Sequence, residues 1–191
     1  MSIKRQIGSF FAAAKLTAAL ALALAASPAA AVSTQFEVLK GSWVGSGSLN
    51  FKDGRSEKLD CNAYYTGSAD GNALTTALRC SGPSGKFELR SHLSYAGGKV
   101  SGSWEERTYN ASGDASGTLN PGNLRLNFQG GVSGDMTVAF SAASQAVSIA
   151  ISTSEVPVKG MHFDFRACAG AMQIAREWSC ETRSAPCSYP G

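Results

Sequence analysis

From Gly41 to Ala167 apolar residues recur at every second position, and turn signals interrupt them at short spacing. That is the period of a strand with one buried face. The first run sets Trp43, Gly45, Gly47, Leu49 and Phe51 on one side and ends at Lys52-Asp53-Gly54-Arg55. Leu59, Cys61, Ala63 and Tyr65 follow, then, beyond Asp70-Gly71, Leu74, Thr76, Leu78 and Cys80. After the loop 81–85, Phe87, Leu89, Leu93 and Tyr95 alternate with Lys86, Glu88, Arg90 and His92. Val100, Gly102 and Trp104 begin a strand predicted to end near Tyr109. The Gly/Asp/Ser segment from Asn110 to Gly117 reads as a loop, with a short strand reaching Leu119. Asn120-Pro121-Gly122-Asn123 is a turn, because Pro presets φ and Gly supplies a positive φ. Leu124, Leu126 and Phe128, then Met136, Val138 and Phe140, then Val147, Ile149 and Ile151 give three more strands. The last sets Met161, Phe163 and Phe165 against His162, Asp164 and Arg166. About nine or ten strands are predicted, with no helix between them.

Consecutive hairpins make an antiparallel meander. Each strand has one apolar face to bury, and the two outer strands have open edges. Rolling the meander until the last strand meets the first answers both demands. The predicted fold is therefore all-β, an antiparallel up-and-down barrel of about 8–10 strands over residues 32–167, with a two-sheet sandwich as the alternative. Gly45 and Gly47 suit a sharply coiled first strand, since they relieve crowding on the concave face.

One hairpin can be read in register. Asp-Gly is a strong two-residue turn signal. With Asp70 and Gly71 at the centre, opposed residues carry numbers that sum to 141, as Cys61 and Cys80 do. The same register opposes Ala63 to Leu78 and Tyr65 to Thr76. A cross-strand disulfide Cys61–Cys80 is predicted, worth about 3 kcal/mol for a loop of this size.

Gly41-Ser42-Trp43, opening the first strand after the short run from Phe36 to Lys40, resembles the G-x-W motif of the lipocalin-like (calycin) barrels. The resemblance covers roughly Leu39 to Ala167. It implies a ligand-holding barrel in which an Arg near the end of the last strand packs over the Trp, and Arg166 stands at the matching place. Cys61…Cys80 with Tyr95-x-Gly97-Gly98-Lys99-Val100-Ser101-Gly102-x-Trp104-x-Glu106 is also similar to a group of exported alphaproteobacterial proteins.

The N-terminal end changes the electrostatic picture. Lys4, Arg5 and Lys15 precede an apolar stretch from Leu16 to Ala26, and Ser27-Pro28 and Ala29-Ala30-Ala31 follow. Residues 1–31 read as a secretory signal peptide; a run of about 11 residues is too short for a bilayer about 30 Å thick. No later segment is long and apolar enough to cross a membrane as a helix. The chain has 17 Lys+Arg and 14 Asp+Glu, and removing the three bases of the leader leaves 14 against 14. The mature protein is near neutral with interspersed charges, which argues against nucleic acid and anionic lipid as partners. A periplasmic or secreted location follows, where cysteines are expected to pair. Of Cys168, Cys180 and Cys187, two have scope to pair and one is left over; spacing does not choose among them. Residues 168–191 lose the strand period and read as a Cys-containing tail appended to the barrel.

Catalytic motifs are not found. The sequence has no G-x-S-x-G elbow, no H-E-x-x-H, no phosphate-binding Gly loop and no C-x-x-C metal pair. His92 and His162 fall on the polar faces of their strands, so a haem or metal ligand is not expected, and no cofactor is predicted. Glu105 and Glu106 point to opposite faces; Glu106 shares the Trp104 face. The function expected is non-enzymatic binding of a small apolar or amphipathic ligand in the interior. Trp43, Tyr65 and Trp104 would be its walls and Glu106 its polar anchor or a mouth carboxylate. The alternatives are a periplasmic protein-binding module such as a calycin-type protease inhibitor, touching its partner through 32–35 or 110–117, and a structural envelope protein.

Overall fold

Strands form in every run expected, and one more segment joins them, in the computed structural model, which describes residues 36–168. Among these, a 3₁₀ turn, Glu37–Leu39, precedes ten strands. These are β1 (Gly41–Phe51), β2 (Ser56–Gly67), β3 (Ala73–Gly82), β4 (Gly85–Ala96), β5 (Lys99–Glu106), β6 (Ala111–Asn120), β7 (Asn123–Gly130), β8 (Gly134–Phe140), β9 (Ser144–Ile151) and β10 (Val158–Ala167). Each pairs antiparallel with its sequence neighbours, and β10 returns to pair with β1 from Trp43↔Ala167 to Phe51↔Val158. The sheet is a closed barrel, so no strand edge is left open. The leader, positions 32–35 and the tail beyond Cys168 lie outside the described residues.

The hairpin register is the one expected: Cys61↔Cys80, Ala63↔Leu78 and Tyr65↔Thr76. Cys61 and Cys80 form the disulfide, with their Cα atoms 4.1 Å apart. The turn itself differs. Gly71 N–H bonds to the Ser68 carbonyl at 3.1 Å and Ser68 N–H to the Ala73 carbonyl at 3.1 Å, so the loop has four residues, 69–72, rather than two. Gly71 takes φ 69°, and the Asp70 carboxylate accepts from Ser68 Oγ, Asn72 N and Asn72 Nδ2. Both loops centre between Asp70 and Gly71, which is why the wrong length predicted the right register. Cys168 is also disulfide-bonded.

The segment from Ala111 to Gly117 is strand, not loop. It pairs with β5 (Trp104↔Gly113, Gly102↔Ala115, Val100↔Gly117) and with β7 (Ala115↔Phe128, Gly117↔Leu126). β5 therefore stops at Glu106, and the four residues 107–110 turn the chain. The inward positions of β6 are Ala111, Gly113, Ala115, Gly117 and Leu119, so four of the five are too small to show a period.

Large rings fill the space that small residues leave. Gly45 sits opposite Phe165 and Gly47 opposite Phe163. A Cβ on Gly45 would lie 2.7 Å from Phe165 Cδ1, and one on Gly47 2.5 Å from Phe163 Cδ1. The two rings thus lie across bare backbone, with centroids 5.9 Å apart, and Phe163 continues to Phe87 at 6.3 Å. The glycines are required by this approach and by the Asp164 and His162 carbonyl oxygens, each 2.1 Å from where a Cβ would stand.

Candidate functional site

The two ends of the barrel are finished differently. At one end the 3₁₀ turn folds across the opening. Phe36, Leu39 and Trp43 are buried there, and the Phe36 ring meets Tyr95 edge-on at 6.2 Å. Trp43 Nε1 donates to the Leu39 carbonyl at 2.8 Å, which gives the indole its one polar partner without admitting water. Lys40 Nζ donates to the Ser68 carbonyl at 3.0 Å, tying the plug to the β2–β3 turn. The opposite end, where β1, β3, β5, β7 and β9 finish, is not covered in this way.

Between them lies a cavity of about 490 Å³. Its walls are mostly apolar. Leu74, Leu93, Leu124, Val138, Val147 and Phe165 are buried toward the closed end. Leu49, Leu89, Trp104, Phe128, Met136 and Met161 line it toward the open end and stay only partly buried. Trp104 meets Phe128 edge-on at 5.8 Å, and its Nε1 donates to the Gln129 carbonyl at 3.3 Å. Tyr65 lines the cavity from the end of β2, and desolvation raises its hydroxyl pKa above the ordinary value, so it is a neutral hydrogen-bonding group.

Three of the four expected site residues, Tyr65, Trp104 and Glu106, line this space. Trp43 does not. It faces inward as alternation requires, but it is packed into the plug at 2% exposure, one layer below the cavity. Arg166 does not cover it. Arg166 sits opposite Val44 and Ser144 and is exposed on the outer face, because its parity is opposite to that of Phe163 and Phe165.

Glu106 is engaged by the backbone. Its Oε1 accepts from Glu88 N at 3.0 Å and Thr108 N at 3.1 Å, and its Oε2 from Tyr109 N at 2.6 Å. These bonds fix the turn after β5, where Tyr109, 71% exposed, stands at the rim of the cavity. Three of roughly four acceptor directions are used. Glu106 shapes the mouth and keeps room for about one further donor.

Outside the same rim is an ionic group. Glu88 meets Arg90 at 2.7 Å, Arg79 at 3.2 Å and Arg107 at 3.6 Å. The Arg90 bond, helped by Arg79 against a desolvation cost, holds the Glu88 carboxyl below its ordinary pKa. His92 and His162 are both exposed; His92 Nδ1 lies 3.2 Å from Thr75 Oγ1 and His162 Nδ1 3.1 Å from Ser148 Oγ. Among the described residues no cluster of His, Cys, Asp and Glu is placed to hold a metal ion, and no helix is long and apolar enough to cross a membrane.

Sequence reasoning missed Gln145, near the start of β9. It is the buried polar residue of the core, 2% exposed, and it lines the cavity. Neither Oε1 nor Nε2 has a hydrogen-bond partner. A signal was present, since Gln145 shares the parity of Val147, Ile149 and Ile151 and must face inward with them.

Solved structures share this architecture. Rv2717c from M. tuberculosis matches with a TM-score of 0.58 at 14% identity, over 70% of this chain and 96% of that one. The S-type phycobiliprotein lyase CPES from Guillardia theta gives a TM-score of 0.47 at 14% identity, over 69% and 88%. No family model and no curated protein matches the chain. At this identity the likeness to Rv2717c concerns the fold alone, and that fold is a lipocalin-like barrel.

Proposed function

We propose that the protein is an exported, non-enzymatic barrel that holds a small apolar or amphipathic ligand in its interior. The cavity of about 490 Å³ carries the proposal. Its volume falls in the range of about 300–1,000 Å³ common for small-molecule sites. A core with no ligand to receive would close over its side chains at native density. Here Leu49, Leu89, Trp104, Phe128, Met136 and Met161 remain partly exposed along the open half of an otherwise well-packed barrel. Covering them gains about 25 cal/mol for each Å² of apolar surface removed from water. The one lining carboxylate among the described residues, Glu106, is held by three backbone amides, which favours a structural part at the rim over acid–base chemistry. The Cys61–Cys80 disulfide supports an oxidising compartment, in keeping with the leader-like residues 1–31.

The test is native mass spectrometry of the chain purified from the periplasm, alongside titration with the apolar fluorophore N-phenyl-1-naphthylamine. The expected result is a retained small molecule, or saturable fluorescence enhancement at about one probe per barrel. An empty chain that also leaves the fluorophore dim at saturating protein overturns the proposal.

A further inference from the structure

Polar groups in this barrel are satisfied almost everywhere that packing allows. Thr76 and Ser91, both lining the cavity, bond to each other at 2.7 Å, and Glu106 accepts from three backbone amides. Gln145 is the exception among the described residues. Its amide is buried, lines the cavity and lacks a partner for both the donor and the acceptor. Leaving a buried amide unsatisfied is costly, and a Leu or Met at this position would carry no such cost. The burden falls at the deep end. Gln145 pairs with Phe165 of β10 and Phe140 of β8, next to the β8–β9 turn and in register with Gly45 of β1. In the empty barrel the two amide atoms are buried and unpaired.

From this placement we infer that Gln145 is the polar floor of the ligand site. It receives the head group of an amphipathic ligand whose tail runs out toward Trp104 and the rim. The inference rests on the interior-binding reading of the same cavity and adds the orientation and the head-group chemistry. A primary amide side chain offers one acceptor and an N–H donor side by side. Its complement is a head that both donates and accepts, such as an amide, a protonated carboxyl or a hydroxyl. The head must be uncharged, because among the described residues no Lys, Arg or His lines the cavity and an ion would be desolvated there without a counter-charge. Tyr65, at the end of β2, adds a second neutral polar group at this end. Length follows from the strand. Ile151, at the far end of β9, is six positions on from Gln145. At about 3.3 Å per residue and a tilt of about 35–45°, that is roughly 15 Å along the axis. An extended chain of about ten carbons plus its head spans it.

The experiment displaces N-phenyl-1-naphthylamine from the full-length chain with decanamide and, separately, with n-decane, which has the same tail and no head. Both are measured on wild type and on Gln145→Met, which keeps the volume. The ratio of decanamide to n-decane affinity is expected to fall about tenfold in Gln145→Met, since a buried donor and acceptor lose their partner. The empty variant is expected to melt at a higher temperature than the empty wild type, because the unsatisfied amide is gone. If both compounds bind and the ratio does not change, the inference is overturned and interior binding stands. A variant that melts lower with an unchanged ratio assigns Gln145 a structural partner, such as trapped water, and also overturns it. If neither the fluorophore nor the competitors bind wild type, the interior-binding reading falls first and the inference with it. Should Gln145→Met not fold, the wild-type protein still decides. Its Gln145 side-chain amide NMR resonances are expected to shift with decanamide and stay in place with n-decane; an equal response to both overturns the assignment.

Discussion

The closed and open ends of this barrel are built from the same strands and do opposite things with them. At the closed end Phe36, Leu39 and Trp43 are buried to within 2% exposure under a 3₁₀ turn. At the open end Leu89, Trp104, Phe128 and Met136 point inward just as faithfully and remain partly exposed. Alternation decides that a side chain faces inward, but height along the axis decides whether it meets another side chain. The polar groups run against intuition. At the wet mouth Glu106 accepts from three backbone amides, while at the dry base the Gln145 amide has no partner. A barrel selected for stability alone would place its unsatisfied amide where water reaches it.

The sharpest way to break this comparison is to truncate one tryptophan at each end. Trp43→Ala removes a fully buried ring and its bond to Leu39, and is expected to cost about 3–5 kcal/mol in urea unfolding. Trp104→Ala is expected to cost only about 1–2 kcal/mol, because part of the ring never left water. Trp104→Ala should also weaken N-phenyl-1-naphthylamine binding at temperatures where the variant is folded. Equal losses of stability at both sites would show that the mouth is as structural as the base.

The next effect is on the wall that joins the ends. Cys61 and Cys80 are buried on the inner face of β2 and β3. Replacing both with Ala is expected to lower stability by about 3 kcal/mol relative to the wild type without reductant. Non-reducing peptide mapping should link Cys61 to Cys80. Fluorophore affinity should change little, because the hairpin register is also held by eight paired positions from Asp60↔Ser81 to Gly67↔Leu74. A large loss of binding would move the disulfide from the scaffold into the site.

What could be read from the residues divides along the same lines. The strands, the closure and the disulfide register were legible because they depend on parity, and parity survives an error in loop length, as at 69–72. β6 was illegible because its inward residues, Ala111, Gly113, Ala115 and Gly117, carry too little side chain to mark a face; their smallness is the imprint of Trp104 and Phe128 beside them. Reading 110–117 as a loop fails for the same reason. Trp43 was placed in the ligand wall because parity carries no height. The work of Glu106 was hidden because its partners are backbone N–H groups, which every sequence has. Gln145 was overlooked because the alternation was counted only from Val147, although one more step back by two places it inside.

The smallest expected effect tests whether the mouth is held by charge where the base is held by packing. Glu88 carries Arg79, Arg90 and Arg107 on the outer face at the rim, and its backbone N–H donates to Glu106 inside. Its carboxyl pKa lies below the unfolded value near 4.5. A group with a depressed folded pKa stabilises fully above the unfolded value, and that contribution fades as pH falls through the folded one. The stability difference between wild type and Glu88→Gln should therefore be constant from neutral pH down to about 5 and shrink below it. It should stay under about 1 kcal/mol, because the arginines are solvent-exposed, and it should diminish in 1 M salt. Hydrogen exchange localises the effect. The Arg107 N–H, bonded to the Glu88 carbonyl at 2.9 Å, should lose protection relative to its intrinsic exchange rate in acid or salt, while the Tyr95 N–H, bonded to the Asn72 carbonyl at 2.7 Å by the plug, should not. If both amides respond equally, the two ends are one cooperative unit and the division between a fixed base and an adjustable mouth is wrong.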